Sequence, residues 1–220
     1  MCVGPPVVFR DGLQGMDSVC SFGIDSHAIS SSSLNEMRTG LQHARGINST
    51  SHQKQGQLPR RVHHTTHEAF TMGNLGGARA LCMEDQIGSI AVGKKADLVF
   101  FFFFLTFSPA MIAGAQQDPV MAIVLHSSIG DVEDVIVYGV LRKRNGKLLS
   151  LDAVTEWKDQ AGEFVQRKTE ESEISWNVAA SKVLEMQKRF MDKLPRYDMA
   201  ALQDTMVGMF GYKMAAGDEG

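Results

Sequence analysis

Asp25 and His27 carry side chains whose types suit acid–base chemistry or metal binding. Small and apolar residues alternate from position 19 to position 24, which predicts a short strand with Asp25 at its end. An aspartate followed by a serine at such a point more often shapes a loop or caps a helix. A histidine two residues later is at least as well explained as a solvent-facing loop residue. Residue types and spacing alone therefore favour the loop role for both.

A second group, His63, His64 and His67, has the spacing at which one helix face can hold zinc. The group lacks acidic or cysteine partners in a recognised pattern, and His67-Glu68 does not extend to an HExxH motif. The polar beginning of a helix is the favoured interpretation.

Two further runs contain residue types that occur in catalytic or phosphate-binding sites. The serines at positions 30–33 lack the surrounding residues of a G-x-S-x-G nucleophile elbow, so helix capping is the favoured role. The glycine-rich stretch 73–77 lacks the Gly-Lys-Ser/Thr ending of a phosphate-binding loop.

The composition is that of an ordinary globular protein. The chain has 220 residues, 44% of them hydrophobic and 21% charged, with a net charge of −3. This balance does not indicate a nucleic-acid partner. Cys2, Cys20 and Cys82 form neither a CxxC pair nor a disulfide framework, and no leader sequence is recognisable. A cytoplasmic location is therefore expected.

Several helices and strands are predicted. Leu34, Met37, Leu41 and Ala44 share one face of a helix that should end near Gly46, followed by a mobile loop over 47–59. Thr65 or Thr66 can cap a second helix over 66–81, in which the pair Gly76-Gly77 permits close packing. A strand should begin near position 96, and strands over 132–140 and 141–149 should turn at Gly139 and at Asn145-Gly146. A helical pattern then covers 153–194 and ends at Pro195.

The most apolar stretch covers residues 98–107 and includes five consecutive phenylalanines, Phe100 to Phe104. It is shorter than the roughly 20 residues that a membrane-spanning helix needs, so no membrane span is expected. A buried strand with an apolar extension is the favoured interpretation, and contact with a membrane surface is the alternative.

Short runs that follow one another in the chain resemble metal-dependent amidohydrolases of the cytosine-deaminase and chlorohydrolase group. These runs are FGIDSHA at 22–28, SLNEMR at 33–38, GGARAL at 76–81, IGSIAVGKKADLV at 87–99, DPV at 118–120, GDV at 130–132 and VIVYGV at 135–140. Their order is as informative as the runs themselves. The phenylalanine run departs from the pattern, because a polar turn would normally follow Asp97-Leu98-Val99.

The resemblance implies an α/β fold: the C-terminal portion of a (β/α)8 TIM barrel plus part of a small β-sandwich domain. Residues 1–85 would then form the last strand and helices of an incomplete barrel. Residues 86–152 would form strands of the small β-domain, and residues 153–220 a helical C-terminal tail. Such a barrel takes about 250 residues, so only its end is expected here.

The resemblance also implies a chemistry. In this family a divalent metal, zinc most often and iron as the alternative, lowers the pKa of a bound water. Asp25 matches the aspartate that touches the metal and accepts the proton of that water, and His27 is the candidate substrate contact. The hydroxide attacks a small-molecule substrate at a carbon bonded to nitrogen or halogen, and the aspartate returns its proton to the departing nitrogen. The family's histidine ligands precede this aspartate, whereas no histidine precedes His27.

Two hypotheses follow. The chain belongs to a hydrolase of non-peptide C–N bonds, with Asp25 as the remaining catalytic ligand and with activity of this chain alone in doubt. Alternatively, it is a non-catalytic family remnant that acts through protein–protein interaction or self-association at exposed apolar edges.

Overall fold

The computed structural model describes residues 20–24, 32–101, 109–158, 164–209 and 211. The chain is a mixed α and β protein and divides into two compact units, residues 1–149 and residues 150–220.

Helix α1, Ser33–Gln53, begins after Ser32 and buries Met37, Gly40, Leu41 and Ala44. This is the face that the apolar spacing predicts. The helix does not end near Gly46, as the sequence suggested, and it occupies much of the predicted loop. A glycine inside a helix costs only about 1 kcal/mol, and a hydrogen bond from Arg45 Nε to the His64 carbonyl, 3.0 Å long, ties this part of α1 to the following segment.

The second helical segment begins at Thr65, whose side chain accepts a hydrogen bond from the Glu68 amide at 3.1 Å. The Glu68 carboxylate in turn accepts one from the Thr65 amide at 2.6 Å, which completes a capping box. The segment consists of α2 (Thr66–Thr71), a π-helical turn (Met72–Gly76) and α3 (Gly77–Ala80). The predicted capped helix is thus confirmed.

Two short helices were not predicted, α4 (Pro109–Gln117) and α5 (Pro119–His126). Asp118 caps α5 by accepting a hydrogen bond from the Met121 amide at 3.0 Å, and proline occupies the first helical position. Leu41, Ala69 and Val124, each with 0% exposure, form the centre where α1, α2 and α5 meet. The core of the first unit is therefore helical.

Arg38 joins α1 to the end of α5. Its Nε donates to the Val124 carbonyl at 3.1 Å, and its Nη2 donates to the Ser127 carbonyl at 2.5 Å. The last carbonyls of a helix have no partner within the helix. A cation at that end also interacts favourably with the helix dipole, so one guanidinium group satisfies two of these acceptors.

The sheet of the first unit contains β1 (Leu98–Phe101), β2 (Val132–Val137), β3 (Val140–Arg144) and β4 (Lys147–Leu148) in sequential antiparallel order. Both predicted turns are present. Their central residues have positive φ angles of 54° and 77° at Tyr138-Gly139 and of 50° and 73° at Asn145-Gly146, as expected for tight two-residue hairpins.

Strand β1 confirms the strand predicted near position 96, but its burial differs from the expectation. Val99 is 55% exposed and Phe100 is 41% exposed, while Leu98 and Phe101 are half-buried. The rest of the apolar run, residues 102–107, lies outside the described residues. No helix in the described ranges is long and apolar enough to cross a bilayer.

In the second unit, the prediction of helix over 153–194 is wrong in its first half. Strands β5 (Leu151–Lys158) and β6 (Phe164–Ile174) form an antiparallel hairpin there. β-branched and aromatic residues such as Val154, Thr155 and Trp157 favour a strand more strongly than the sparse helical spacing favours a helix. Helices α6 (Trp176–Met191) and α7 (Met199–Met209) follow the hairpin.

The barrel and the sandwich stay predictions. The structure assigns no strand to residues 20–24, where the sequence predicted the last barrel strand. A strand exists only through hydrogen bonds to a neighbour, and all strand pairs in the described residues are antiparallel pairs of β1–β4 or of β5–β6.

Two glycines of α1 provide a matched test of how this helix packs against Phe22. A Cβ at Gly40 would lie 2.5 Å from a ring carbon of Phe22, whereas a Cβ at Gly46 would meet no atom within 4 Å. Gly46→Ala should raise the free energy of unfolding by about 0.5–1 kcal/mol through helix propensity. Gly40→Ala should lower it by about 1 kcal/mol, because overpacking outweighs that gain. Urea unfolding measures both, and equal stabilisation would contradict the packing.

Arg38 provides a second test. Arg38→Met should lower the free energy of unfolding by about 2–3 kcal/mol, because hydrogen bonds from a charged donor are lost and two partly buried carbonyls lose their partner. Arg38→Lys should recover only part of the loss, since lysine keeps the charge without the planar fork. Full recovery by lysine would mean that charge alone stabilises the end of α5. Thermal and urea unfolding distinguish these results.

Candidate functional site

The principal candidate residues, Asp25 and His27, lie outside the described residues. The structure describes the segment that leads to them, Cys20–Ile24, and helix α1, which begins shortly after them. The contacts of these two flanking segments therefore define the surroundings of the site.

The leading segment lies against glycines on two sides. The Phe22 ring approaches α1 at Gly40. On the other side, a Cβ at Gly76 would lie 2.6 Å from the Cys20 carbonyl oxygen, and one at Gly77 would lie 3.1 Å from Ser21 Oγ. Larger residues would push the segment away, so the close packing predicted for the glycine pair is confirmed. We call these three positions, Gly40, Gly76 and Gly77, the glycine slot.

One side-chain hydrogen bond links the segment to the π-helical turn. Ser21 Oγ donates to the Met72 carbonyl oxygen at 3.2 Å. A π turn widens the helix locally and is frequent at functional sites. The sequence pointed to the glycine pair, but not to Ser21 as its contact, because that contact joins residues far apart in the chain.

The segment comes to the surface just before Asp25. Cys20, Ser21 and Phe22 are half-buried, whereas Gly23 and Ile24 are exposed, Ile24 at 38%. The glycine slot thus fixes the buried end of the segment and leaves its Asp25 end open to solvent.

The histidines of the second candidate group do not converge on one point. The rings of His63 and His64 are 6.4 Å apart between centroids, and His67 Nδ1 lies 3.7 Å from an oxygen of Asp118. The capping box at Thr65 supports the interpretation of this stretch as a helix start. Among the described residues, no three His, Cys, Asp or Glu side chains form a group that could hold a metal ion. These residues alone therefore do not fit a metal centre.

A change at Gly76 tests whether the glycine slot positions the segment. Gly76→Ala should lower the free energy of unfolding by about 1–3 kcal/mol, because the added methyl meets a backbone oxygen that moves only with the whole segment. Hydrogen exchange of the Ser21–Ile24 amides should accelerate. Gly73→Ala, in the same turn, is the matched control. Its methyl meets the flexible Met37 side chain, so a smaller effect is expected, and equal effects would argue against the slot.

Comparison with known proteins adds a second line of evidence. The 5-methylthioadenosine/S-adenosylhomocysteine deaminase of Moorella thermoacetica is 36% identical over 88 residues, which cover 40% of this chain and 19% of the relative. The 5′-deoxyadenosine deaminase of Methanobrevibacter smithii is 36% identical over 89 residues, with 40% and 19% covered. The chain spans about a fifth of the length of these curated relatives.

Solved structures give weaker matches. A zinc-bound adenosine deaminase from Xanthomonas campestris matches with 25% identity and a TM-score of 0.39, over 54% of this chain and 24% of the other. The guanine deaminase of E. coli matches with 24% identity and a TM-score of 0.41, over 56% and 27%. TM-scores this low do not establish a shared fold.

The family assignment rests on the sequence model. A model of the amidohydrolase family matches residues 8–142, which is more than half of the chain and includes the glycine slot, Asp25 and strands β1 and β2. The order of short runs noted in the sequence lies within the same span. This chain belongs to the amidohydrolase family.

Proposed function

We propose that the chain is part of a hydrolase that removes an amino group from the ring of an adenine nucleoside and releases ammonia. The observation that carries the proposal is the 36% identity to deaminases of adenine nucleosides, together with the match to the amidohydrolase family model. The reaction adds water across a carbon–nitrogen bond, so that the ring carbon gains oxygen and the nitrogen leaves as ammonia. It is one form of the non-peptide C–N hydrolysis expected from the sequence.

Asp25 is the residue to which we assign the chemistry. The family is metal-dependent, and we propose zinc, with iron as the alternative, as the ion that activates water. Asp25 would hold this ion and accept the proton of the water, and His27 would contact the substrate. The packing of residues 20–22 in the glycine slot supports this assignment, because a general base must be held in place relative to its substrate.

The ligand set is incomplete in this chain. None of its seven histidines precedes His27, although the family's histidine ligands precede the aspartate. The described residues contain no other group of side chains that could hold a metal ion. No metal-dependent step of the reaction is therefore assigned to them.

A second candidate, a non-catalytic family remnant that binds other proteins or itself, is favoured by this incomplete set and by exposed apolar side chains. In the first unit these include Ile90, Val92, Val99 and Phe100. Exposed apolar side chains mark interaction sites where they form one contiguous patch.

Metal analysis and an ammonia-release assay on the purified chain separate the two candidates. The substrates are S-adenosylhomocysteine, 5′-methylthioadenosine and 5′-deoxyadenosine. The hydrolase proposal predicts about one metal ion per chain. Asp25→Ala should lose the metal and reduce turnover by at least ~100-fold. Asp85→Ala is the control, because it removes an exposed carboxylate elsewhere in the same unit. Absence of both metal and turnover in the unmodified chain would overturn the hydrolase proposal and favour the remnant.

A further inference from the structure

We infer that the first unit carries a second ligand site, a basic cleft that binds the phosphate group of a small molecule. The cleft lies between the C-terminal half of α1 and residues 59–63. The described residues that line it all lie between Arg45 and His63, and the inference stands independently of the proposed hydrolase activity.

The first observation is the charge of this part of the chain. Between Glu36 and Glu68 the sequence contains no aspartate or glutamate, although the whole chain has a net charge of −3. The same stretch carries the basic residues Arg38, Arg45, Lys54, Arg60 and Arg61, together with the histidines at positions 43, 52, 63, 64 and 67. A block of one charge sign in a chain of the opposite sign indicates an interaction with an ion of opposite charge.

The second observation is that the fold brings three of these arginines together. Arg45 from α1 and Arg60 and Arg61 from the following segment line one cleft. In the described part of the chain, no carboxylate lies within ion-pairing distance of their guanidinium groups. Like charges that converge without a counter-charge repel one another, and a bound anion relieves that repulsion.

The cleft is also prepared for a ligand. Arg45 is half-buried, and its Nε donates to the His64 carbonyl at 3.0 Å, which restricts the guanidinium plane while its terminal amino groups stay outside this hydrogen bond. Asn48, Ser49 and His63 add further polar groups to the lining. Arginine forks combined with neutral donors are the usual means of holding phosphate oxygens.

Size selects the kind of ligand. The cleft has a volume of about 170 Å³. This is several times the roughly 30 Å³ that one water occupies, but below the roughly 300–1,000 Å³ of pockets that enclose a drug-sized ligand. One compact anionic group fits, with the rest of the molecule outside, where Pro59 and Val62 offer apolar contact.

A nucleic acid fits these observations less well. Proteins that bind single strands combine a long basic groove with aromatic side chains that stack on the bases. Residues 37–67 contain no Phe, Tyr or Trp, and the three arginines surround one small cleft. The site is therefore suited to a single phosphate group.

Calorimetric titration of the full chain with inorganic phosphate, glycerol 3-phosphate and glycerol tests the inference. We expect one phosphate-dependent site and no binding of glycerol. Tighter binding of glycerol 3-phosphate than of phosphate would identify a phosphorylated small molecule as the source of the group. Equal affinity would identify free phosphate as the ligand. Binding of neither anion would overturn the inference.

The variant Arg60→Gln/Arg61→Gln should weaken phosphate binding at least ~10-fold, since it removes two of three charge-assisted partners. Both residues are exposed, so the fold should be retained, which circular dichroism checks. Arg142→Gln/Arg144→Gln removes the same charge from β3 and should change affinity less than ~2-fold. Equal weakening in the two double variants would overturn the site in favour of general charge attraction.

A second variant distinguishes loss of phosphate binding from a folding defect caused by replacing the arginines. Asn48→Asp places a carboxylate in the cleft and should weaken phosphate binding by repulsion while all three arginines are kept.

Titration with a thymidine oligonucleotide provides the last comparison. Binding much tighter than that of phosphate, with a steep loss in salt, would replace the phosphate site with a nucleic-acid surface.

Discussion

The packing of the first unit around residues 20–24 depends on one steric constraint, the absence of side chains where this segment meets its two neighbours. Backbone and small side chains approach Gly76 and Gly77 on one side, and an aromatic ring approaches Gly40 on the other. Interiors are packed so densely that even one methyl group displaces its neighbours. The path of the chain into Asp25 is therefore set by glycines that are distant from it in sequence.

The helices that provide this slot are themselves fixed by a few polar contacts around a small core. The core residues Leu41, Ala69 and Val124 join three helices, and Arg38 attaches the end of α5 to α1. The arginines of the basic cleft lie further along α1 and in the segment before α2. Helix α1 thus contributes to both candidate sites, with residues near its start at the slot and residues near its end at the cleft.

Local signals in the sequence predicted local structure well. The cap at Thr65, the turn at Asn145-Gly146 and the buried face of α1 each follow from residues that are neighbours in the chain. The predictions were wrong for the end of α1 and for the hairpin formed by β5 and β6, and they missed helices α4 and α5. Local propensities compete in these segments, and packing or residues outside the predicted pattern decide between them. At the candidate site, the sequence indicated Asp25 through resemblance and the glycine pair through size. The partner of that pair and the converging arginines depend on contacts between distant residues.

The π-helical turn Met72–Gly76 determines which face of the following helix meets residues 20 and 21. A π turn holds one residue more than the same stretch of regular α-helix, so it is equivalent to a single-residue insertion that the helix has absorbed. If the same residues formed regular α-helix instead, everything after them would be rotated by roughly 100° relative to α2. Gly76 and Gly77 would then face away from Cys20 and Ser21. The π turn therefore sets the phase of the helix, and the segment leading to Asp25 depends on that phase.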